Sequence, residues 1–136
     1  MFEKFIIIAS GRAKLTPTKL RKMLSNIDLP GCQRIDVGKY ASTNNYVFKL
    51  VFANKREIQV TYSKLTFNQD LSRELAENYA SQKMIKYIAR CTCHISIFGD
   101  DNPAVNFSEQ YDSILSIFEN IEGVYVFNSL TKEFYE

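Results

Sequence analysis

The start of the chain combines one apolar run with one helical stripe. Residues 2–9 are mostly apolar and end at Ser10 and Gly11, which predicts a buried first strand followed by a loop. A helix is predicted next, because Thr16 is a good N-cap and Pro17 suits the first helical position. Apolar residues then recur at i, i+3, i+4 and i+7. We expect this stripe to be buried: Leu20, Met23, Leu24 and Ile27.

The pattern from residue 33 to residue 65 changes to a period of two, which is typical of strands. Apolar and polar positions alternate at residues 34–37 and 58–63, and a mostly apolar segment lies between them at residues 46–52. The last two segments are separated by residues 53–56, which is short enough for a hairpin. The sequence therefore predicts three strands here and an antiparallel middle of the sheet.

Two further helices and two further strands are predicted in the rest of the chain. Residues 69–90 contain no Gly or Pro and predict the longest helix. Its expected apolar face comprises Leu71, Leu75, Tyr79, Ile85 and Ala89. A strand is predicted at residues 92–98 and another at residues 124–128.

The third helix is predicted between these two strands. Asn106 and Glu109 resemble a capping box, and Gly123 is placed to end the helix. Its expected inward stripe comprises Tyr111, Ile114, Leu115, Phe118 and Ile121. The element order is then βαβββαβαβ.

This order indicates an α+β fold, a two-layer sandwich with three helices on a mixed or mostly antiparallel sheet of about six strands. The chain shows no composition break, repeat or linker, so residues 1–136 are predicted to form a single domain. We expect the helices to share one face of the sheet and the other face to be partly open. The expected polar sheet surface comprises Arg34, Asp36, Gln59, Thr61, Ser63, His94 and Ser96.

Composition excludes several classes of protein. With 46% apolar and 24% charged residues in 136, the chain is neither disordered nor of low complexity. No apolar run approaches the roughly 18–20 residues that span a bilayer, so we expect no membrane contact. Three cysteines are too few and odd in number for a secreted disulfide framework, which favours a cytoplasmic protein. Frequent Ile, Lys and Asn with no Trp favour a bacterial or phage origin.

Charge is divided unevenly between the two halves of the chain. Residues 1–67 hold 12 Lys and Arg against 4 Asp and Glu, while residues 68–136 hold 5 against 11. The net charges are thus +8 and −6 and account for the overall +2. A basic surface is predicted near the first loop and helix, and it could attract an anionic partner. It comprises Arg12, Lys14, Lys19, Arg21 and Lys22. Alternatively, these side chains form an ordinary solvated face, neutralised by the acidic half.

The loop before the first helix offers a candidate anion site, since a helix N-terminus presents free N–H groups. Residues 10–17 match no phosphate-loop pattern, however, and Thr16 can act simply as a cap. Asp100 and Asp101 follow a strand, as cation-binding carboxylates often do, but Asp, Asn, Gly and Pro in succession also make an ordinary turn.

Cys91, Cys93 and His94 suggest zinc, whose preferred ligands are thiolate and imidazole. On a strand the two thiols would share one face and the imidazole would point to the other, and no second Cys/His pair completes four ligands. We therefore expect Cys93 to be a core residue and expect no metal or cofactor. The single histidine, His94, could act in a catalytic pair, but the sequence shows no partner for it.

Aromatic residues in the basic half suggest base stacking on single-stranded nucleic acid, although most of them should be core. These are Tyr40, Tyr46, Phe48 and Phe52. The RNA-recognition strand motif is missing. The leading hypothesis is a non-enzymatic protein-binding module of the immunity-protein, inhibitor or adaptor kind, with a partner that is acidic. The alternatives are a nucleic-acid-binding protein that uses the basic half, and a small enzyme whose site the sequence does not reveal.

Overall fold

The computed structural model describes residues 2–39, 45–66, 68–100 and 107–135. Within these ranges the chain forms seven β-strands and four α-helices. The strands are β1 (Phe2–Ala9), β2 (Arg34–Lys39), β3 (Tyr46–Val51), β4 (Glu57–Lys64), β5 (Cys93–Gly99), β6 (Val124–Asn128) and β7 (Glu133–Phe134). The helices are α1 (Pro17–Asn26), α2 (Asn68–Tyr79), α3 (Ile85–Ala89) and α4 (Ser108–Ser116).

The described strands form one antiparallel sheet in the order β2-β3-β4-β5-β1-β6-β7. The α+β class with a mostly antiparallel sheet is thereby confirmed. The predicted hairpin at residues 53–56 is also confirmed, and Phe52 N–H donates to the carbonyl of Arg56 across 2.7 Å to close it. β1 lies between β5 and β6 near the middle of the sheet, and the two-residue β7 adds one strand beyond those predicted.

α1 forms where its local signals predict it. Thr16 Oγ1 accepts from Lys19 N–H across 3.1 Å, and Pro17 occupies the first helical position. The side chains of Leu20 and Leu24 are at most 1% exposed, so the predicted stripe faces the core. Met23 and Ile27 of the same stripe are half-buried against this core. The stripe predicted for the third helix packs there too, with Ile114 and Phe118 buried and Leu115 half-buried.

The helices cover both faces of the sheet, which differs from the expected placement on one face. Ile7 and Ala9 of β1 lie in one core with α1 and α4. Ile6 and Ile8, pointing the other way, lie in a second core with α2 and α3. The physical reason is the apolar run at residues 5–9 of β1. Since successive side chains of a strand point to opposite faces, this run requires cover on both sides.

The predicted helix over residues 69–90 is two helices. α2 ends at Tyr79, and a turn in which Met84 N–H donates to the carbonyl of Ser81 leads into α3. Leu75 and Ala76 of α2 lie in the same core as Ile88 of α3, so both pieces pack on one face of the sheet. Leu71 and Tyr79, expected in the apolar face, are 40% and 43% exposed.

α4 is shorter than the predicted third helix and lies close to the sheet. Gly99 at the end of β5 permits this approach, because a Cβ there would collide with the ring and hydroxyl of Tyr111. Gly123, with φ +83°, takes the left-handed conformation before β6. Asn106 of the predicted capping box and Asp101 lie outside the described residues.

Candidate functional site

The five side chains of the predicted basic surface are all exposed. Arg12 and Lys14 lie on the turn between β1 and α1, and the other three project from α1. We call this set, Arg12, Lys14, Lys19, Arg21 and Lys22, the basic surface. A single loop-helix unit therefore presents all five charges to solvent.

The turn that bears Arg12 and Lys14 is anchored at several points. Ser10 N–H donates to the carbonyl of Gly123 across 2.9 Å, and Ala13 is buried beneath the turn. Leu15 is also buried, and its carbonyl accepts from the hydroxyl of Tyr62 on β4 across 2.9 Å. Because Ala13 and Leu15 occupy the core, the intervening Lys14 is held outward.

The arrangement on α1 divides its three cations between two flanks. Leu20 and Leu24 face the core, and Lys19 and Lys22, three residues apart, share one flank of the helix. Arg21 lies on the other flank, where it borders a groove against β2 and β3. The basic surface is therefore spread around the exposed side of the helix and is not one compact cluster.

One member of the basic surface pairs with the acidic half of the chain. Arg12 Nη2 lies 3.1 Å from Glu122 Oε1, with both side chains largely exposed. Such a pair contributes little to stability, since solvent screens it. Among the described residues, the remaining four cations form no ion pair. Their charge is thus available to a partner.

The groove beside Arg21 has a volume of about 160 Å³ and a lining of both polar and apolar side chains. Its lining comprises Pro17, Thr18, Arg21, Val37, Tyr46 and Phe48. Val37 of β2 is 40% exposed there, and the ammonium of Lys39 lies 5.4 Å from the centre of the Tyr46 ring. Arg21 therefore lines this groove at the edge of the sheet, and Lys39 lies over its Tyr46 side.

A second, smaller cleft lies beside the candidate anion loop. It has a volume of about 60 Å³, and its lining includes Ser10, Lys14, Lys64 and Thr92. The helical turn at Gly11–Ala13 is only three residues long and has no side-chain cap. An anion site in this loop stays a prediction.

His94 does have a polar partner, but the pair is buried. His94 Nε2 lies 2.6 Å from Oγ of Ser72 on α2, and His94 is 4% exposed. The Ser72 hydroxyl donates to the carbonyl of Cys91 across 2.7 Å, so it accepts from Nε2–H. Burial lowers the pKa of His94 to about 4 and keeps the imidazole neutral. A hydroxyl whose proton is held by a carbonyl is not activated for attack, so the geometry indicates a structural pair.

Cys91 and Cys93 lie on opposite sides of the sheet, which corrects the expectation that they share a face. Cys93 belongs to the core under α1 and α4, as expected of a core residue, and Cys91 belongs to the core under α2 and α3. The reason is that Cys91 precedes β5 and ends the turn after α3, where its N–H donates to the carbonyl of Ile88. Burial raises the pKa of Cys91 to about 11 and also raises the pKa of Cys93. In the described ranges, no three His, Cys, Asp or Glu side chains are grouped so that they could hold a metal.

The aromatic side chains of the basic half are mostly unavailable for base stacking. Phe48 and Phe52 are buried, Tyr46 is half-buried in the groove, and Tyr40 lies outside the described residues.

Of the predicted carboxylate pair, Asp100 is half-buried and is the last residue of its described segment. No helix in the described part of the chain has the length and apolar character to cross a membrane.

Sequence reasoning missed the groove at β2 and the partner of His94. The groove requires α1 to lie against two strands, which no local pattern reports. The Ser72 position did carry a signal, because it lies three and four residues before Leu75 and Ala76 and therefore shares their buried flank of α2.

No protein-family model, curated protein or solved structure matches this chain.

Proposed function

We propose that this chain is a non-enzymatic protein-binding module of a bacterium or phage, of the immunity-protein, inhibitor or adaptor kind. It recognises an acidic surface of another protein through the basic surface. The observation that carries the proposal is the exposure of five cations on one anchored loop-helix unit, four of them without an ion pair among the described residues.

The physics of association favours such an arrangement. Charges at the rim of an interface chiefly raise the association rate, because they steer a complementary surface during diffusion. The hydrogen bonds from Ser10 to Gly123 and from Tyr62 to Leu15 fix the loop before binding. A fixed loop loses little conformational entropy when the partner docks.

Two observations favour a protein partner over the alternatives. Phe48 and Phe52 are committed to the core, which removes them as a stacking platform for single-stranded nucleic acid. The Ser72 and His94 pair is buried with the hydroxyl proton held by a carbonyl, which disfavours its use as a nucleophile and base.

The experiment measures binding of labelled poly-L-glutamate and of random-sequence single-stranded DNA matched in charge, across a salt series. The test variant reverses Arg12→Glu, Lys14→Glu and Lys22→Glu together. The matched control reverses Lys83→Glu, Lys86→Glu and Arg90→Glu, three exposed cations around α3, and changes the net charge equally. Circular dichroism and melting curves confirm that both variants fold.

We expect the affinity for poly-L-glutamate to fall at least tenfold in the test variant. In the control, which changes the net charge equally, the affinity should stay within about twofold of that of the natural protein. Equal losses in the two variants would show that net charge alone is responsible and would overturn the proposed surface. DNA binding that is tighter than poly-L-glutamate binding at physiological salt, with a steep salt slope, would replace the proposal by the nucleic-acid function.

A further inference from the structure

The two ends of the sheet differ in length and exposure. β2 lies at one end and β7 at the other. β7 has two residues, whereas β2 has six, and every residue of β2 except Ile35 is exposed. An edge strand carries a row of backbone N–H and C=O groups with no neighbour on one side. Of these two ends, β2 is therefore the one long enough to pair with another strand.

The groove lies next to this edge, on the face where α1 packs. Val37 lines it from β2, Tyr46 from β3 and Arg21 from α1. Lys39 shares the face of Val37, since it is two residues further along the strand, and its ammonium lies over Tyr46. This face of β2 thus carries the apolar Ile35 and Val37 followed by the cation Lys39, and Arg21 of α1 adds a second cation at the groove.

The charges at this edge favour an acidic occupant. The carboxylate of Asp36 already accepts from Arg34 Nε at 3.1 Å on the opposite face, while Arg21 and Lys39 form no ion pair with a described residue. A second copy of this chain would bring the same excess of positive charge to the contact. Like charges directly opposite each other destabilise strand pairing.

We infer that β2 accepts an extended acidic segment of the protein partner as an additional strand. Backbone hydrogen bonds to β2 supply affinity, and the groove supplies specificity, as in other cases of strand addition. On the groove face the segment presents an apolar side chain to Val37 and Tyr46, and carboxylates on the same face of the segment meet Arg21 and Lys39. This inference rests on the proposed function, because it names the form in which the acidic partner binds.

The probe is a peptide with blocked ends in which Thr occupies every second position and Glu, Val and Glu occupy the positions between. In an extended strand the two Glu side chains and the Val side chain then share one face. A matched peptide carries Lys in place of Glu. Two further peptides are N-methylated, one at the Thr amides and the other at the Glu and Val amides. Alternate amides of a strand point to opposite edges, so only one of these two sets faces β2.

We expect the acidic peptide to bind and the Lys peptide not to bind. One N-methylated peptide should lose at least tenfold in affinity, and the other should bind like the parent. Loss in both or in neither would overturn the inference, because strand addition uses one edge of the peptide. Hydrogen exchange should show new protection at β2 amides, and protection confined to other elements would equally overturn it.

Two variants test the side chains. Arg21→Glu should weaken binding of the acidic peptide at least tenfold. Lys86→Glu changes the net charge equally, but Lys86 is exposed on α3, which packs on the opposite face of the sheet, and we expect an effect within twofold. Equal effects of the two variants would overturn the placement in the groove.

The failures of the two proposals are distinguishable. The test variant of the basic surface leaves Arg21 unchanged. If the test and control variants bind poly-L-glutamate equally well while the acidic peptide still binds at β2, the proposed basic surface alone is wrong. If the two variants differ as expected but the peptide does not bind at β2, the strand addition alone is wrong. Sedimentation equilibrium tests whether a second copy of the chain pairs with β2 instead. A dimer that the acidic peptide dissociates would show that it does and would overturn the proposed acidic segment.

Discussion

The hydroxyl of Ser72 on α2 lies 2.6 Å from Nε2 of His94 on β5 and joins the second helix layer to the sheet. Nearby, the Asn68 side-chain amide donates to the carbonyl of Thr92 across 3.0 Å and to Oγ of Ser63 across 3.1 Å. Buried polar groups are costly unless paired, and these contacts pair them. The N-terminal half of α2 is therefore held on the sheet by polar contacts as well as by apolar packing.

The pH dependence of stability should report on His94. In the unfolded chain the imidazole has its ordinary pKa of 6.5, while in the folded protein burial lowers the pKa to about 4. Between these values the unfolded state binds the proton and the folded state does not. The contribution to the free energy of unfolding is thus complete above about pH 6.5 and falls by about 3 kcal/mol as the pH drops to about 4.

Urea unfolding at successive pH values, compared between the natural protein and His94→Gln, measures this effect. The stability difference between the two proteins should change by the stated amount over that pH window. The carboxyl of Glu3, whose pKa is raised by burial, acts in the opposite direction but is common to both proteins and cancels. Parallel stability curves would show that His94 does not stay neutral in the fold.

Replacement of Ser72 tests the polar contact directly. Ser72→Ala removes the acceptor for His94 and the donor to the carbonyl of Cys91, and it leaves both groups buried. We expect a loss of about 1–3 kcal/mol in the free energy of unfolding. Ser25→Ala is the matched control, because Ser25 donates to the carbonyl of Arg21 on an exposed helical surface. That change should stay within about 0.5 kcal/mol, and similar losses in the two variants would contradict the structural role of Ser72.

Leu24 tests the packing of α1. Leu24→Ala deletes a side chain that is 1% exposed and leaves a cavity, which should cost about 2–5 kcal/mol in chemical denaturation. Leu71→Ala makes the same chemical change on α2 at a position that is 40% exposed, and we expect a cost of about 1 kcal/mol or less. The assignment of the α1 stripe would be wrong if the order of the two losses were reversed.

The cysteines should behave as structural thiols. Cys91 and Cys93 lie in separate apolar cores, and burial raises the pKa of both, so neither is poised as a thiolate ligand. Elemental analysis should find no stoichiometric zinc, and a chelator should leave the Tm unchanged. Iodoacetamide should modify the half-buried Cys32 before the other two in the folded protein. Zinc near one equivalent, or early modification of Cys91, would contradict this assignment.

Local signals were sufficient for some elements. Thr16, Pro17 and the stripe at Leu20 and Leu24 predict α1 within the chain segment that forms it, since capping and helical periodicity are short-range. The alternation at β4 and the short connection at residues 53–56 likewise predict the β3–β4 hairpin. The basic surface was predicted from the sequence alone, because residues on the turn and on the polar side of the helix stripe are exposed wherever the stripe packs.

Long-range packing decided the rest. The period of an apolar pattern says which side of a strand is buried but not which strand becomes its neighbour, so nothing local places β1 between β5 and β6 or leaves β2 at the edge. The same limit hides the contact of Ser72 with His94, which are 22 residues apart. The break between α2 and α3 is likewise not marked in the sequence, since residues 80–84 contain no Gly or Pro. The sequence by itself determined α1, the hairpin and the charged surface. Tertiary structure alone decided the helix layers on both faces, the neutral His94 and the groove at the β2 edge, because each depends on residues that meet only after the strands have paired.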